Sequence, residues 1–409
     1  MSVVKKSERL GARVVCKVGL LVRYFGWDLS GFMASSVGPS IEKDAAGGMV
    51  RTVEGALLAA LRKTNLLPVG NPSAGAEPVD LGRSVAGRTD KGVSGFRQVY
   101  CINVSLPEKY AACWGGDEDP GILPRLNRTL PSEVRVLAWA PVSNEFVTRF
   151  SCRQRSYKYI FAGADLNIGA MADAAARLVG LHDFRNFSKL ADDAKLLRTS
   201  HERAMLECSV VPCSSAPVES GSSLGYQMYE LRATATGFLW HQIRYIMSVL
   251  LLVGRGLEEP SVVDALLNVD EVVATPNVTP AEAVPLCFFD CQFEAAESLE
   301  WRYDSGEALT ELAALQRTWA QLTTKATMVR AMIDELSMTA DVEAPAAQSD
   351  WLLPGETHFR HARRSARCKP YRRLVDRQTA DSVEEKRRKI KRKLELTDDS
   401  TSDIASEDK

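Results

Sequence analysis

The sequence lacks the features of several common classes of protein. It contains nine cysteines but no pair at CxxC spacing, and it contains only five histidines. These spacings support neither a structural zinc site nor a disulfide framework, so we expect reduced thiols and no metal. No GxxxxGK[ST] or GxGxxG motif stands between a strand and a helix, so nucleotide-cofactor chemistry has no support and we expect no cofactor.

Long hydrophobic runs are also absent. The longest one, 246–253, is too short to span a bilayer and predicts a buried helix. The N-terminus lacks the hydrophobic core of a signal peptide, so we expect an intracellular protein in the nucleus, the cytoplasm or both. A mitochondrial presequence stays open as an alternative, because Glu8 is the one acidic residue among the first 23.

Charge is unevenly distributed along the 409 residues, although the net charge is only −1. Basic residues cluster in 149–158, 359–373 and 386–393, and the last dozen residues are acidic. Such clusters are compatible with a polyanion or, for 386–393, with a nuclear import receptor. For 386–409 a solvated, disordered tail is at least as good an interpretation.

The hydrophobic pattern predicts an α+β protein. Alternating or apolar runs predict strands at 14–24, 99–104, 134–140, 156–161 and 227–236. Helices are predicted within 50–67 and at 170–179, 240–253 and 309–336, the last opened by a capping box of Asp304 and Glu307. Because several strands follow one another as in hairpins, we expect a central mixed or antiparallel sheet flanked by helices.

The most informative segment is Val85-Ala-Gly-Arg-Thr-Asp-Lys-Gly-Val-Ser94, here called the motif loop. It places Arg88, Thr89 and Asp90 between two glycines, which allow a positive φ or a close approach to a ligand. Burial of Asp90 would be costly without a partner. From this segment alone, a polar turn and a catalytic loop are equally good interpretations.

Four further segments accompany the motif loop: 24–32 (YFGWDLSGF), 146–159 (FVTRFSCRQRSYKY), 182–189 (HDFRNFSK) and 238–245 (FLWHQIRY). In this order, over residues 14–295, they resemble the TruA family of tRNA pseudouridine synthases. Within that family the chain is most similar to the eukaryotic branch that acts at tRNA positions 38 and 39. It departs from the family pattern at Thr148, where alanine is usual, and at Gly95, where alanine or histidine is common.

The resemblance implies a two-lobed pseudouridine synthase fold with a catalytic cleft between the lobes. We expect a flexible N-terminus at 1–13, an N-terminal lobe carrying the motif loop at 14–140 and a C-terminal lobe at 141–300. A helix at 301–337 and a partly disordered tail at 338–409 follow. The implied partner is the anticodon arm of tRNA, and a homodimer is a further candidate because bacterial relatives are dimers.

The resemblance also implies roles for individual residues. Asp90 would be the catalytic carboxylate, acting either at C6 of the base or at C1′ of the sugar. Arg244 would be its cation, since an opposite charge within a few Å lowers a carboxylate pKa; the alternative is a surface arginine at a helix end. Tyr157 would stack on the extruded uracil, and Arg88 would support base extrusion.

Other basic residues would contact phosphates, although a plain surface charge is an equal alternative for each: Lys91, Arg149, Arg153 and Lys189. Two rival interpretations of the whole chain stay open. One is a sister-branch synthase with other target uridines, and the other is a non-catalytic tRNA-binding or chaperone protein.

Overall fold

The computed structural model describes residues 13–33, 51–68, 80–108, 110, 119–214, 226–294, 299–342, 349–353 and 371–404. Most of the N-terminus predicted at 1–13 and most of the basic cluster 359–373 lie outside these ranges. The chain divides into two compact units, Met1–Ser156 with Leu286–Ala344 and Tyr157–Pro285 with Pro345–Lys409. We call them the first and the second unit.

Nine strands and eight helices are found in the described ranges. The strands are β1 Arg13–Tyr24, β2 Ser84–Val85, β3 Ser94–Pro107, β4 Val134–Pro141, β5 Cys152–Ala162, β6 Gly180–Asp183, β7 Glu202–Pro212, β8 Met228–Ala235 and β9 Leu286–Phe293. The helices are α1 Val53–Lys63, α2 Ile122–Asn127, α3 Thr148–Ser151, α4 Ile168–Ala176, α5 Gln242–Gly254, α6 Val262–Leu267, α7 Ser305–Thr339 and α8 Val383–Ile404.

The first unit contains a mixed sheet. β1 pairs antiparallel with both β3 and β4, and β2 pairs antiparallel with β3. β9, which comes from nearly two hundred residues later in the sequence, pairs parallel with the start of β3, with Ser94 opposite Cys287 and Gly95 opposite Phe288. The predicted α+β class with a mixed sheet is therefore confirmed.

Helix α1 covers one face of this sheet. Thr52 caps its N-terminus by accepting from the Gly55 amide at 3.1 Å, as a threonine at this position commonly does. The apolar face that the sequence predicts for this helix, formed by Val53, Leu57, Leu58 and Leu61, is buried in the core that also contains strands β1 and β3. Full burial of each leucine stabilises the unit by about 1.5–3 kcal/mol.

In the second unit β7 pairs antiparallel with β6 and with β8. The apolar run 246–253 forms the buried part of α5, as its sequence predicts. Helix α4 ends at Ala176, earlier than predicted, because Gly180 has a φ of +125° and begins β6. Strands β6 and β7 and helix α6 are elements that the sequence pattern did not identify.

Helices α7 and α8 follow the two cores in sequence. Asp304 caps α7 by accepting from the Glu307 amide at 2.9 Å. The Glu307 carboxylate accepts instead from the side-chain amide of Asn127 at 2.8 Å. Of the two hydrogen bonds of the predicted capping box, the one that Asp304 accepts is therefore formed. Helix α8 contains the basic run 386–393, where the sequence pattern predicts no helix. Within the described residues, no helix is both long and apolar enough to cross a membrane.

Candidate active site

The motif loop connects β2 to β3 as a hairpin. The Ala86 amide donates to the Val99 carbonyl at 3.0 Å, and the Val93 amide donates to the Asp90 carbonyl at 3.2 Å. Of the two glycines that flank the polar residues, Gly92 has a positive φ of +86°. A side chain at Gly92 would strain this turn, so glycine is required for the backbone to reverse directly after Asp90.

Segment 24–32, here called the cradle segment, holds the middle of the motif loop. The hydroxyls of Tyr24 and Thr89 share a hydrogen bond of 2.8 Å, and both side chains are buried. Backbone bonds join Phe32 to Thr89 and Gly92 to Leu29, each at 3.2 Å. The two sequence motifs therefore form one local structure.

Two glycines of the cradle segment permit this close approach. A Cβ atom at Gly26 would lie 2.0 Å from the Val93 carbonyl oxygen, well inside van der Waals contact. Gly31 has a φ of +94°, and a Cβ there would lie 2.8 Å from the Thr89 carbonyl oxygen. Glycine thus stands at the two positions of the cradle segment where the backbone of the motif loop comes closest, Gly26 beside Val93 and Gly31 beside Thr89.

The beginning of the motif loop is held by two side chains that the sequence analysis assigned no role. Gln98 donates to the Gly87 carbonyl at 2.6 Å and accepts from the Gly87 amide at 3.3 Å. Arg155, only 9% exposed, donates from Nε to the Ala86 carbonyl at 2.9 Å. It also donates to the carbonyls of Cys152 and Arg149. A glutamine inside the apolar run of β3 was the available signal for Gln98.

This support fixes the backbone and leaves the charged side chains of the loop outside the core. Arg88 and Lys91 are exposed, Asp90 is half-buried and Thr89 is buried. A carboxylate in such a position has a fixed backbone and access to a ligand. The arrangement agrees with a loop that presents Asp90, flanked by two cations, to an anionic substrate.

Arg149 and Arg153 belong to the first unit and precede Ser156, where its first stretch of sequence ends. Arg149 is exposed on α3, beside the exposed Phe150. Arg153 forms an ion pair of 2.6 Å with Glu294, and both side chains are more than half exposed. Because exposed pairs of this kind are weak, a phosphate could replace the Glu294 carboxylate as the partner of Arg153. Thr148, the departure from the family pattern, is buried and shares a 2.9 Å hydrogen bond with the Ser84 hydroxyl.

Tyr157 and Tyr159 occupy different environments in the second unit. Tyr157 is half-buried, and its ring meets the Phe238 ring edge-to-face at 5.0 Å. Tyr159 is fully buried, and its hydroxyl donates to the Glu282 carbonyl at 2.9 Å. Burial raises the pKa of Tyr159 well above its usual range. Tyr159 therefore packs in the core, whereas Tyr157 keeps part of its ring accessible.

Arg244 is half-buried in the first turn of α5. Its Nε donates to the Ala281 carbonyl at 2.7 Å, and its own carbonyl accepts from the Ala281 amide at 3.2 Å. These two bonds hold the arginine in a defined position. Asp90 belongs to the first unit and Arg244 to the second, so their predicted pairing stays a prediction.

Lys189 is exposed and its ammonium lies 4.5 Å from the centre of the Trp240 ring. The Lys189 amide also donates to the Trp240 carbonyl at 2.9 Å. Trp240 itself is exposed. An exposed cation beside an exposed aromatic ring is a combination that suits contact with RNA.

Across the described ranges, no group of three or more His, Cys, Asp or Glu residues could hold a metal ion.

The sequence was compared with known proteins. A family model described as tRNA pseudouridine synthase matches residues 174–294. A Caenorhabditis elegans protein named a probable tRNA pseudouridine synthase is 35% identical over 341 residues, which cover 80% of this chain and 79% of that protein.

Two further relatives differ in how much of the chain they match. The human tRNA pseudouridine(38/39) synthase is 34% identical over 333 residues, covering 78% of this chain and 63% of the human protein. The tRNA pseudouridine synthase A of Methanocorpusculum labreanum is also 34% identical, but over 205 residues, or 50% of this chain and 61% of the archaeal protein. The chain thus spans a little under two thirds of the human and archaeal relatives and most of the nematode one.

Proposed function

Because the chain belongs to the tRNA pseudouridine synthase family, we propose that it isomerises uridine to pseudouridine at positions 38 and 39 of the tRNA anticodon stem-loop, with Asp90 as the catalytic carboxylate. The site observation that carries the proposal is the motif loop, whose backbone is fixed at Gly87, Thr89 and Gly92 while Asp90 stays half-buried. The target positions are supported by the relatives named tRNA pseudouridine(38/39) synthase, which match 78–79% of the chain in mammals.

The reaction requires no net oxidation or reduction. The bond between C1′ and N1 breaks, the uracil rotates, and a bond between C1′ and C5 forms, while C5 loses a proton and N1 gains one. An ionised carboxylate can serve this sequence as nucleophile or as base. In the proposed site Asp90 has that role, Arg244 stabilises its negative charge, and Tyr157 stacks on the uracil and exchanges a proton.

The remaining predicted residues would bind the substrate. Arg88, exposed two residues before Asp90, would enter the stem when the target base leaves its stack. Four basic residues would contact phosphates: Lys91, Arg149, Arg153 and Lys189. The cleft predicted between two lobes, the nuclear or cytoplasmic location and the import receptor at 386–393 stay predictions.

Replacement of Asp90 tests the proposal. We expect Asp90→Asn to reduce pseudouridine formation at positions 38 and 39 by at least about 1,000-fold, because loss of a catalytic nucleophile or base removes most of the rate enhancement. Pseudouridine would be mapped by carbodiimide labelling and primer extension on tRNA transcripts. Asp270→Asn is the matched control, since Asp270 is an exposed aspartate of the second unit.

Each result has a clear meaning. Wild-type rates in Asp90→Asn would refute the catalytic role of Asp90. Asp90-dependent product at other uridines would favour the sister branch. Binding of tRNA without any product from the wild-type protein would favour the non-catalytic alternative.

The predicted homodimer has a candidate interface in α7. Apolar residues occupy eight consecutive heptad core positions of this helix: Leu312, Leu315, Trp319, Leu322, Ala326, Val329, Ile333 and Leu336. Glu311 is the one buried residue of α7, so most of this face is exposed. An apolar stripe with a strict seven-residue repeat is buried along its whole length only by a second helix that coils around the first. We propose a second copy of α7 as that helix.

A further inference from the structure

We propose that helix α8 is a second RNA-binding surface, which contacts the phosphate backbone of the tRNA substrate outside the catalytic residues. This inference rests on the proposed function. Residues 383–395 carry seven basic and three acidic side chains, in a chain whose net charge is −1. Such a concentration of positive charge on one helix attracts a polyanion.

The start of α8 is well specified. The Ser382 hydroxyl accepts from the Glu385 amide at 3.1 Å, and the Glu385 carboxylate accepts from the Ser382 amide at 2.8 Å. This reciprocal capping box satisfies two backbone donors that a helix would otherwise leave without partners. The basic residues that follow are therefore held in helical geometry.

One face of α8 is docked on the second unit. Val383 is buried with Leu190 and Leu196, and Ile390 packs against this cluster. Arg387 donates to the carbonyls of Leu196 and Thr199 at 3.2 and 3.0 Å. These contacts fix the rotation of the helix about its own axis.

The docked face determines which basic residues point outward. With 3.6 residues per turn, Arg388 and Arg392 lie on the side opposite Val383 and Ile390, and Lys391 lies on the flank of the helix. All three are exposed. Leu190, which packs against α8, directly follows Lys189, the predicted phosphate contact beside Trp240. Lys189 thus lies next in sequence to the segment on which α8 docks.

The docking favours RNA over an import receptor as the occupant. A receptor that reads 386–393 as a peptide needs the whole run, yet Lys386 and Arg387 are half-buried and engaged with the protein. A phosphate backbone needs only the outward face. Lys386 pairs with Asp192, while Arg388, Lys391 and Arg392 face solvent.

The test is the triple substitution Arg388→Gln, Lys391→Gln and Arg392→Gln in the full chain. We expect the Kd for an unmodified tRNA transcript to rise about tenfold or more near 0.15 M salt. The slope of log K against log salt should fall by about 2, since each lost phosphate contact removes roughly 0.7–0.9. In turnover, KM should rise while kcat stays unchanged, because the interaction is equal in ground and transition states.

A charge-matched control removes three exposed cations from helices of the first unit: Arg62→Gln, Arg317→Gln and Lys325→Gln. Thermal melting of both triple variants checks folding. A second variant, Ser382→Ala with Glu385→Ala, keeps all seven basic residues but removes both bonds of the capping box. Fraying of the first turn should raise the Kd about threefold, whereas a receptor that binds an extended peptide would lose no affinity.

The inference is overturned if the α8 triple variant binds tRNA with the affinity and salt dependence of the control triple variant. If the α8 triple variant binds tRNA like the control triple variant but no longer binds an import receptor, the basic run 386–393 would be assigned to nuclear import. Failure of the proposed function is a separate outcome: the wild-type protein would then bind tRNA through α8 but form no pseudouridine.

Discussion

The Tyr24 and Thr89 hydroxyls form a buried pair that joins the end of β1 to the residue before Asp90. Burial raises the pKa of Tyr24 far above its usual range, against the opposing effect of its hydrogen bonds to Thr89 and Gln98. The phenol is therefore a neutral structural group. We expect it to position the motif loop and to take no part in proton transfer.

Substitution of either partner should weaken the same contact. We expect Tyr24→Phe and Thr89→Val each to lower the free energy of unfolding by about 1 kcal/mol, the net value of one buried hydrogen bond. The double variant should lose less than the sum, because both changes remove one interaction. Urea unfolding measures these values, with Tyr303→Phe, at an exposed tyrosine, as the control. Additive losses would contradict the pairing.

Single residues also show what the sequence could and could not predict. Asp90 stood out because a carboxylate between glycines is unusual. Arg155 did not, since it lies in the same basic cluster as Arg149 and Arg153, which are exposed. Its burial depends on the carbonyl of Ala86, 69 residues away. Such a tertiary contact leaves no local pattern.

Among the elements, long periodic segments were predicted best. The apolar face of α1 repeats at helical spacing and was identified from it, and α5 was identified from its continuous apolar run. Helix α8 was not, because its docked face rests on Val383, Ile390 and the guanidinium bonds of Arg387 rather than on a continuous apolar stripe. Its sequence therefore has the composition of a charged tail.

His201 is buried directly before β7, and it should make the second unit sensitive to acid. Burial lowers the pKa of His201, assisted by Arg185, Arg387 and Arg203 and opposed by Asp183. The folded state thus binds the His201 proton less readily than the unfolded state does. Stability is full above about pH 6.5 and falls as the pH drops below that value, where the unfolded chain takes up the proton first.

We expect His201→Gln to flatten this dependence. Urea unfolding between pH 8 and pH 5 should show a smaller decrease in the free energy of unfolding for the variant than for the wild type. The loss measured at pH 8 reports packing alone and serves as the internal control. Equal slopes in the two proteins would show that other groups cause the acid sensitivity.

At the scale of the whole molecule, the proposed α7 interface would determine how copies of the chain associate. Burial of an exposed leucine side chain contributes about 1.5–3 kcal/mol. Each helix offers Leu312, Trp319, Val329 and Leu336, all more than half exposed, against the roughly 4–15 kcal/mol that association costs. The repeat continues over about four heptads, the length at which a coiled-coil pattern becomes informative.

Charges placed in this core should separate the copies. We expect the wild-type protein to have twice the monomer mass of 44.9 kDa and Leu322→Glu with Val329→Glu to be monomeric in sedimentation equilibrium. The matched control, Thr324→Glu with Thr327→Glu, places the same charges at positions outside the heptad core. A wild-type mass of one chain would rule out the interface.

The parallel pairing of β3 with β9 has a consequence for synthesis. Ser94 and Gly95, at the end of the motif loop, acquire their partners in β9 only when Cys287 and Phe288 have been made, more than 190 residues later. A ribosome that adds 5–20 residues per second needs about 10–40 seconds for that distance. During this interval the nascent chain already carries Asp90 but not the complete sheet beside it. Catalytic competence should therefore arise late in translation, after most of both units has been made.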